Sequence, residues 1–329
     1  MRKLKVGMIS FAHQHAIGYF KSLRSNSNVI ITAISDTNYE RVKDYVENTG
    51  IKYFNNYNEL LITDVDAVVI CSENVYHAQI TIDAARAGKN ILCEKPLGIS
   101  TEEMKLMIDT CREHNVQLMT AFPCRYLRPV VEAKKALDRG EIGNVIAIKG
   151  TNRGTMPGKW FIDAAYSGGG AILDHTVHLM DIYNWFLNSR PFEVYAEMGT
   201  LFNDIKIDDS GMVHVKYENG VVAVIDTSWS RPKSFPTWGD VTIEIIGTKG
   251  VISIDSFAQK NDIYSNKNTR AQWSYWGDDM DQLLIDDFVR AILNSTNVAI
   301  SGQDGLNSTA VALTAYKSVK ESKPVKINY

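Results

Sequence analysis

Over its first third the chain alternates short β-branched runs with amphipathic helical stretches, a pattern that points to consecutive βαβ units closing a parallel sheet. Strands are predicted at Leu4 to Ile9, Val29 to Ser35, Ala67 to Cys71, Asn90 to Cys93 and Gln117 to Ala121. Helical patterns between them include Tyr39 to Thr49 and His77 to Ala87, with Gly50 and Gly88 standing where a left-handed C-cap is wanted. Ser100 followed by Glu103 is a capping box that opens a helix from Thr101 to about His114.

Beyond Pro123 the pattern changes. A helix near Pro129 to Asp138 is followed by strands with few long helices between them: Val145 to Thr151, Phe192 to Thr200, Met212 to Lys216, Val221 to Trp229, Val241 to Gly247 and Val251 to Asp255. Glu218-Asn219-Gly220 and Thr248-Lys249-Gly250 read as hairpin turns, so this sheet is expected to be open and mostly antiparallel. Helices near Ala171 to Leu187, Asp279 to Leu293 and Ser308 to Val319 would cover one face and leave the other for a partner subunit. A chain of 329 residues exceeds the size at which one core stays continuous. The fold expected is α/β, with a Rossmann-type dinucleotide-binding domain over residues 1–122 and an α+β domain over 123–329.

The chemistry-bearing segments sit at strand ends. Ile91-Leu92-Cys93-Glu94-Lys95-Pro96 sets a lysine at the end of a short apolar strand, and the proline keeps a helix from absorbing it. In an open parallel sheet that carboxyl edge is where ligands sit. The alternative is a lysine that merely solubilises a strand end. The first strand runs into Ser10-Phe11-Ala12-His13-Gln14-His15, where a dinucleotide fold carries G-x-G-x-x-G. Ser10, Ala12 and His15 occupy the three glycine positions. Small residues there let the backbone approach a pyrophosphate at a helix amino terminus, and Ser10 or His13 can supply a hydrogen bond from its side chain. His13 and His15 also read as packed loop histidines.

Asp36 ends the second strand about 20 residues beyond the loop, where an acid meets the ribose hydroxyls of NAD, while Arg41 leaves NADP open. Ser72, Asn74 and His77 lie in the next carboxyl-edge loop and are placed at the cofactor, with helix capping as the alternative for Ser72 or Asn74.

In the second half, Ser167-Gly168-Gly169-Gly170 leads into a predicted helix carrying Asp174, His175, His178 and Asp181. Asp174, His178 and Asp181 share one helical face among apolar neighbours, which suits an acid/base set with Lys95. A metal site on Asp174, His175 and His178 is a minor alternative, and no metal is assigned. Arg125, Tyr126, Arg153 and Trp160 suit a polyhydroxylated ring by donating hydrogen bonds or stacking. Core packing is the competing role for Trp160.

Composition narrows the class. Apolar content of 45%, charged content of 22% and a net charge of -3 give no electrostatic commitment to nucleic acid or anionic membrane. Cys71, Cys93, Cys111 and Cys124 lack metal-like spacing and suit reduced thiols in the cytoplasm. His13, Gln14 and His15 interrupt the apolar stretch near the amino terminus before it forms a signal segment, and no membrane span is expected.

With Ala87-Gly88-Lys89, Glu94-Lys95-Pro96, the triple glycine and Asp174-x-x-x-His178 in this order, the chain resembles the Gfo/Idh/MocA oxidoreductases over nearly its whole length. The resemblance implies Lys95, Asp174 and His178 as the catalytic set, Asp36, Asn74 and Glu94 in the cofactor region, and a homodimer or homotetramer packed through the open sheet. The glycine-free loop departs from the family pattern. The activity expected is an NAD(P)-dependent oxidoreductase transferring a hydride between nicotinamide and a hydroxyl or carbonyl carbon of a sugar, sugar acid or cyclitol. The rivals are a non-catalytic dinucleotide- or sugar-binding regulator and an NAD-dependent glycosidase.

Overall fold

The computed structural model describes residues 2–267 and 270–329. The chain forms two compact units, one comprising residues up to Pro123 together with Asp281–Leu306, the other Cys124–Met280 with Asn307–Tyr329.

The first unit is built on a parallel sheet of six strands in the order β3-β2-β1-β4-β5-β6. These are β1 (Leu4–Ile9), β2 (Val29–Ser35), β3 (Lys52–Phe54), β4 (Ala67–Ile70), β5 (Asn90–Cys93) and β6 (Leu118–Thr120). Its helices are α1 (His15–Ser25), α2 (Lys43–Thr49), α3 (Tyr57–Leu61), α4 (His77–Arg86) and α5 (Thr101–Glu113). All four residues of β4 are buried, as a central strand covered on both faces requires. The strand order reverses between β1 and β4, which creates the crevice typical of doubly wound sheets. Gly50 and Gly88 adopt positive φ at the helix ends, and the Ser100–Glu103 capping box is formed. The segment expected as one helix from Tyr39 is a 3-10 turn at Tyr39–Arg41 followed by α2.

The second unit begins with α6 (Arg128–Asp138), β7 (Val145–Thr151), α7 (Ala164–Ser167) and α8 (Ala171–Leu187). There follow β8 (Pro191–Gly199), β9 (Ser210–Tyr217), β10 (Val222–Asp226), β11 (Thr242–Gly247) and β12 (Val251–Asp255). A separate hairpin comprises β13 (Lys260–Ile263) and β14 (Gln272–Tyr275). The chain then runs through α9 (Met280–Leu293) and α10 (Gly302–Glu321) to a short β15 (Val325–Lys326). The large sheet has the order β12-β11-β7-β10-β9-β8-β15; only β7 and β10 pair in parallel.

Strand β9 shows why this sheet has two different faces. Val213, Val215 and Tyr217 are buried, whereas Met212, His214 and Lys216 point to water. Helix α8 packs on the buried side against β7, β9 and β10, with Tyr217 donating to Asn184 Oδ1 at 3.0 Å. Helix α9 corrects the expectation that it covers this sheet. It packs on α1 in the first unit, where Ser25 donates to Gln282 Oε1 at 2.5 Å and Asn26 donates to Asp286 Oδ1 at 2.7 Å. A helical pattern specifies an apolar face but not the surface that will receive it. Among the described residues, no helix is long and apolar enough to cross a membrane.

Candidate active site

In the first unit, the loop from β1 to α1 uses its own backbone donors. Ser10 adopts φ 67°, the conformation that a glycine would take without cost. Its amide donates to Ser35 O at 2.7 Å, and its hydroxyl accepts the Ala12 N–H at 3.1 Å. The Phe11 N–H goes to Asp36 Oδ2 at 2.7 Å, and the His13 N–H goes to Cys71 O at 2.9 Å. The His15 N–H reaches His13 Nδ1 at 3.2 Å. The side chain of Phe11 packs against Phe20 and Tyr45.

Asp36 is buried, as a residue that both shapes the loop and ends β2 must be. Besides Phe11, it accepts the Asn38 N–H at 2.8 Å, while Arg41 lies 3.6 Å from Asp36 and 3.5 Å from Glu73. Arg41 thus has two carboxylates as neighbours. Ser72 and Asn74 are buried in the loop after β4. His77, expected at the cofactor, is fully buried with Nδ1 2.9 Å from Pro96 O and Nε2 3.2 Å from Ser72 O. Burial lowers its pKa, with the two carbonyls acting in the opposite direction. The structure therefore gives His77 a fold-holding position that ties two loops together.

Glu94 and Lys95 follow β5, and both are inside: Glu94 is 0% exposed and Lys95 4%. The Lys95–Pro96 peptide is cis. The Lys95 N–H donates to Glu94 Oε2 at 3.0 Å, which leaves Oε1 facing His15 Nδ1 at 2.9 Å. Burial alone would raise the Glu94 pKa, but the charges of His13, His15 and Lys95 outweigh it and hold the carboxyl well below its usual range. For His15, burial pulls the pKa down and the Glu94 carboxylate more than restores it, so the net shift is upward. The sequence reading left Glu94 beside the cofactor without predicting that two loop histidines would surround it.

In the second unit, the triple glycine is used for close packing. Gly168 takes φ 77° at the end of α7. A Cβ on Gly170 would lie 2.0 Å from Asp208 O, so only glycine lets the two backbones meet here. The Asp208 carboxylate accepts the Gly170 N–H at 3.1 Å and the Ile172 N–H at 2.8 Å, thereby capping α8. Tyr316 donates to the same carboxylate at 2.9 Å. Burial raises the Asp208 pKa, opposed by these hydrogen bonds. Nothing in the local spacing marks Asp208 as the cap, because it lies 36 residues from Ile172 in the chain.

Helix α8 then presents Asp174, His175 and His178. Asp174 Oδ2 accepts the Trp229 indole N–H at 3.2 Å and lies 3.3 Å from His175 Nε2. His175 is buried edge-on to Trp229 and Trp238, and His178 is also buried. His175, expected off the Asp174 face, is therefore brought against the carboxylate. Trp229 was missed because its position, three residues beyond the end of β10, carries no local chemical signature.

The other substrate expectations divide. Arg125, expected at the substrate, is instead buried against Asp181; its Nε donates at 2.8 Å, a second guanidinium nitrogen pairs with the other oxygen, and Trp185 lies at 5.6 Å. That bidentate bond uses the edge of the fork that would have recognised a sugar. Tyr126 is half-buried. Arg153 is partly exposed, with Nε 3.6 Å from Asp240 and 3.9 Å from Asp226. Trp160 stacks on Phe161 at 3.9 Å, and both rings are half-buried outside the core.

Comparison with known proteins places these features in context. Residues 4–122 match the oxidoreductase family with an NAD-binding Rossmann fold, and residues 130–253 match the GFO/IDH/MocA C-terminal domain. The uncharacterized oxidoreductase YrbE of Bacillus subtilis (strain 168) is 30% identical over 312 residues, covering 91% of this chain and 89% of that protein. Myo-inositol 2-dehydrogenase of Thermotoga maritima is 27% identical over 337 residues, covering 98% of each. The fold is matched by the NAD complex of GenD2 from gentamicin A biosynthesis, with a TM-score of 0.92 at 23% identity, covering 100% of this chain and 97% of that one.

Proposed function

The chain belongs to the Gfo/Idh/MocA oxidoreductases, and on that premise we propose that it is an NAD-dependent dehydrogenase of a hydroxyl group on a sugar, sugar acid or cyclitol. The observation that carries the reading is Lys95, 4% exposed at the carboxyl end of a parallel strand, where simple solubilisation gives no reason for burial. The polyhydroxylated substrate class draws on the myo-inositol dehydrogenase relative.

The dinucleotide fits the first unit at its ribose end. Asp36 is the acid at the end of β2, and its carboxylate suits ribose hydroxyls while repelling a 2′-phosphate. The proximity of Arg41 to both Asp36 and Glu73 supports NAD over NADP. Ser72, Asn74 and Glu94 would complete the binding region. When bound, nicotinamide supplies the hydride acceptor.

The chain's own groups have distinct tasks. The Lys95 ammonium donates to the substrate oxygen and stabilises the negative charge that develops on it. His178 accepts the hydroxyl proton, leaving a carbonyl as the hydride departs from the same carbon. Asp174 orients a donor group, and its proximity to His175 makes that imidazole a further candidate for substrate positioning. Arg153 and Tyr126 remain candidates for binding hydroxyls, whereas the Asp181 bridge removes Arg125 from that role.

A panel of polyols, cyclitols and sugar acids should contain at least one compound that gives steady NADH formation. With that compound, Lys95→Ala should lower kcat by about 10²–10⁴-fold while NADH binding remains measurable by fluorescence. Near-normal turnover in the variant would remove the proposed mechanism. The exposed face of the second sheet is the proposed subunit contact, and the four thiols suit a reducing compartment.

A further inference from the structure

Three metal-ligating side chains converge in the first unit. His13 comes from the loop after β1, His15 opens α1, and Glu94 follows β5. Each offers one ligand atom, and those atoms lie within 4.8 Å of one another. Donors on a four-coordinate ion with bonds near 2.1 Å stand about 3.4 Å apart, so modest side-chain closure would bring this set to bonding distance.

The local contacts prepare the donors. Glu94 Oε2 is held by the Lys95 N–H, which turns Oε1 toward His15 Nδ1 at 2.9 Å. His13 Nδ1 accepts the His15 N–H at 3.2 Å, so this nitrogen carries a lone pair; an ion there would take the lone pair and release the N–H. His13 is 2% exposed and Glu94 is 0% exposed, which distinguishes the cluster from acidic groups gathered at a surface. Two imidazoles and one carboxylate suit a divalent first-row ion such as Zn²⁺ or Co²⁺ better than Mg²⁺ or Ca²⁺.

We propose that His13, His15 and Glu94 form a binding site for a divalent transition-metal ion with at least one coordination position open to another ligand. The site also suggests a role for the glycine-free loop. The N–H groups of Phe11, Ala12 and His13 are bonded within the fold, and an ion would offer phosphate oxygens positive charge in their place. This role rests on the dinucleotide reading, whereas metal binding does not.

The test is titration of the chelator-treated full chain with Zn²⁺ by calorimetry and with Co²⁺ by visible absorption. One equivalent should bind with a Kd in the micromolar range or tighter, and Co²⁺ should develop a ligand-field band. Glu94→Gln and His13→Ala should each weaken binding at least tenfold. Circular dichroism would establish that they remain folded, and His15→Ala supplies a third variant. Absence of saturable binding in the folded wild-type chain would overturn the proposal, as would undiminished binding in every folded variant. NADH titration of the metal-free chain separates the two readings: NADH binding without a metal site defeats only this inference, and a metal site without NADH binding defeats only the proposed function.

Discussion

The segment between β1 and α1 and the segment before α8 both lead into helices, but they invert the usual relation between glycine and ligand. At the first, where a cofactor is expected, glycines are absent and Ser10 takes a left-handed conformation at φ 67°. Its backbone donors go to Ser35, Asp36 and Cys71, among others. At the second, the last of three glycines, Gly170, permits a backbone contact with Asp208, and the helix amino terminus is capped by the Asp208 carboxylate. The contrast shows that glycine marks a close approach without identifying what approaches. The destination of the amide hydrogens is the more informative observation.

The largest stability effect in this comparison is expected at Gly170. Gly170→Ala would push a methyl group into Asp208 O, and relief of that clash should cost about 3 kcal/mol, measured by denaturant unfolding. A loss below about 0.5 kcal/mol would mean that the two backbones separate easily, and the close-packing account would be abandoned. Asp208→Ala should be milder, at about 2 kcal/mol, because it strips two amides of their cap. Asp208→Asn should recover part of that loss, since its side-chain oxygen can still accept one of them.

The smallest change should come from Ser10→Gly. Glycine relieves the positive φ, but it loses the hydroxyl contact to Ala12 and increases the freedom of the unfolded chain. These effects oppose one another and should leave stability within about 1 kcal/mol of wild type by thermal unfolding. A much larger loss would assign the serine hydroxyl a structural role comparable to that of Asp208. Together the substitutions at these three positions rank the loops by what their backbones touch.

Much of the first unit was legible because its signals are local. The β1, β2 and β5 boundaries coincide with their apolar runs, and Ser100 meets Glu103 within one helical turn. Three-residue β3 was harder to see because so short an edge strand carries little periodicity. The candidate site rests on residue types at strand ends and on one helix. Arg125 was misplaced because its partner, Asp181, is 56 residues away, and a sequence pattern does not assign a guanidinium its carboxylate.

The sequence by itself determined the alternating βαβ character, the change to a mostly antiparallel sheet and the helical spacing of Asp174 and His178 on α8, because strand and helix periods are short-range properties. It also showed that the loop after β1 has no glycines. Only the tertiary structure decided that α9 joins the first unit, that Asp208 caps α8 and that His13, His15 and Glu94 converge. Those outcomes depend on which distant surfaces can satisfy buried polar groups, and that requirement is met in space rather than along the chain.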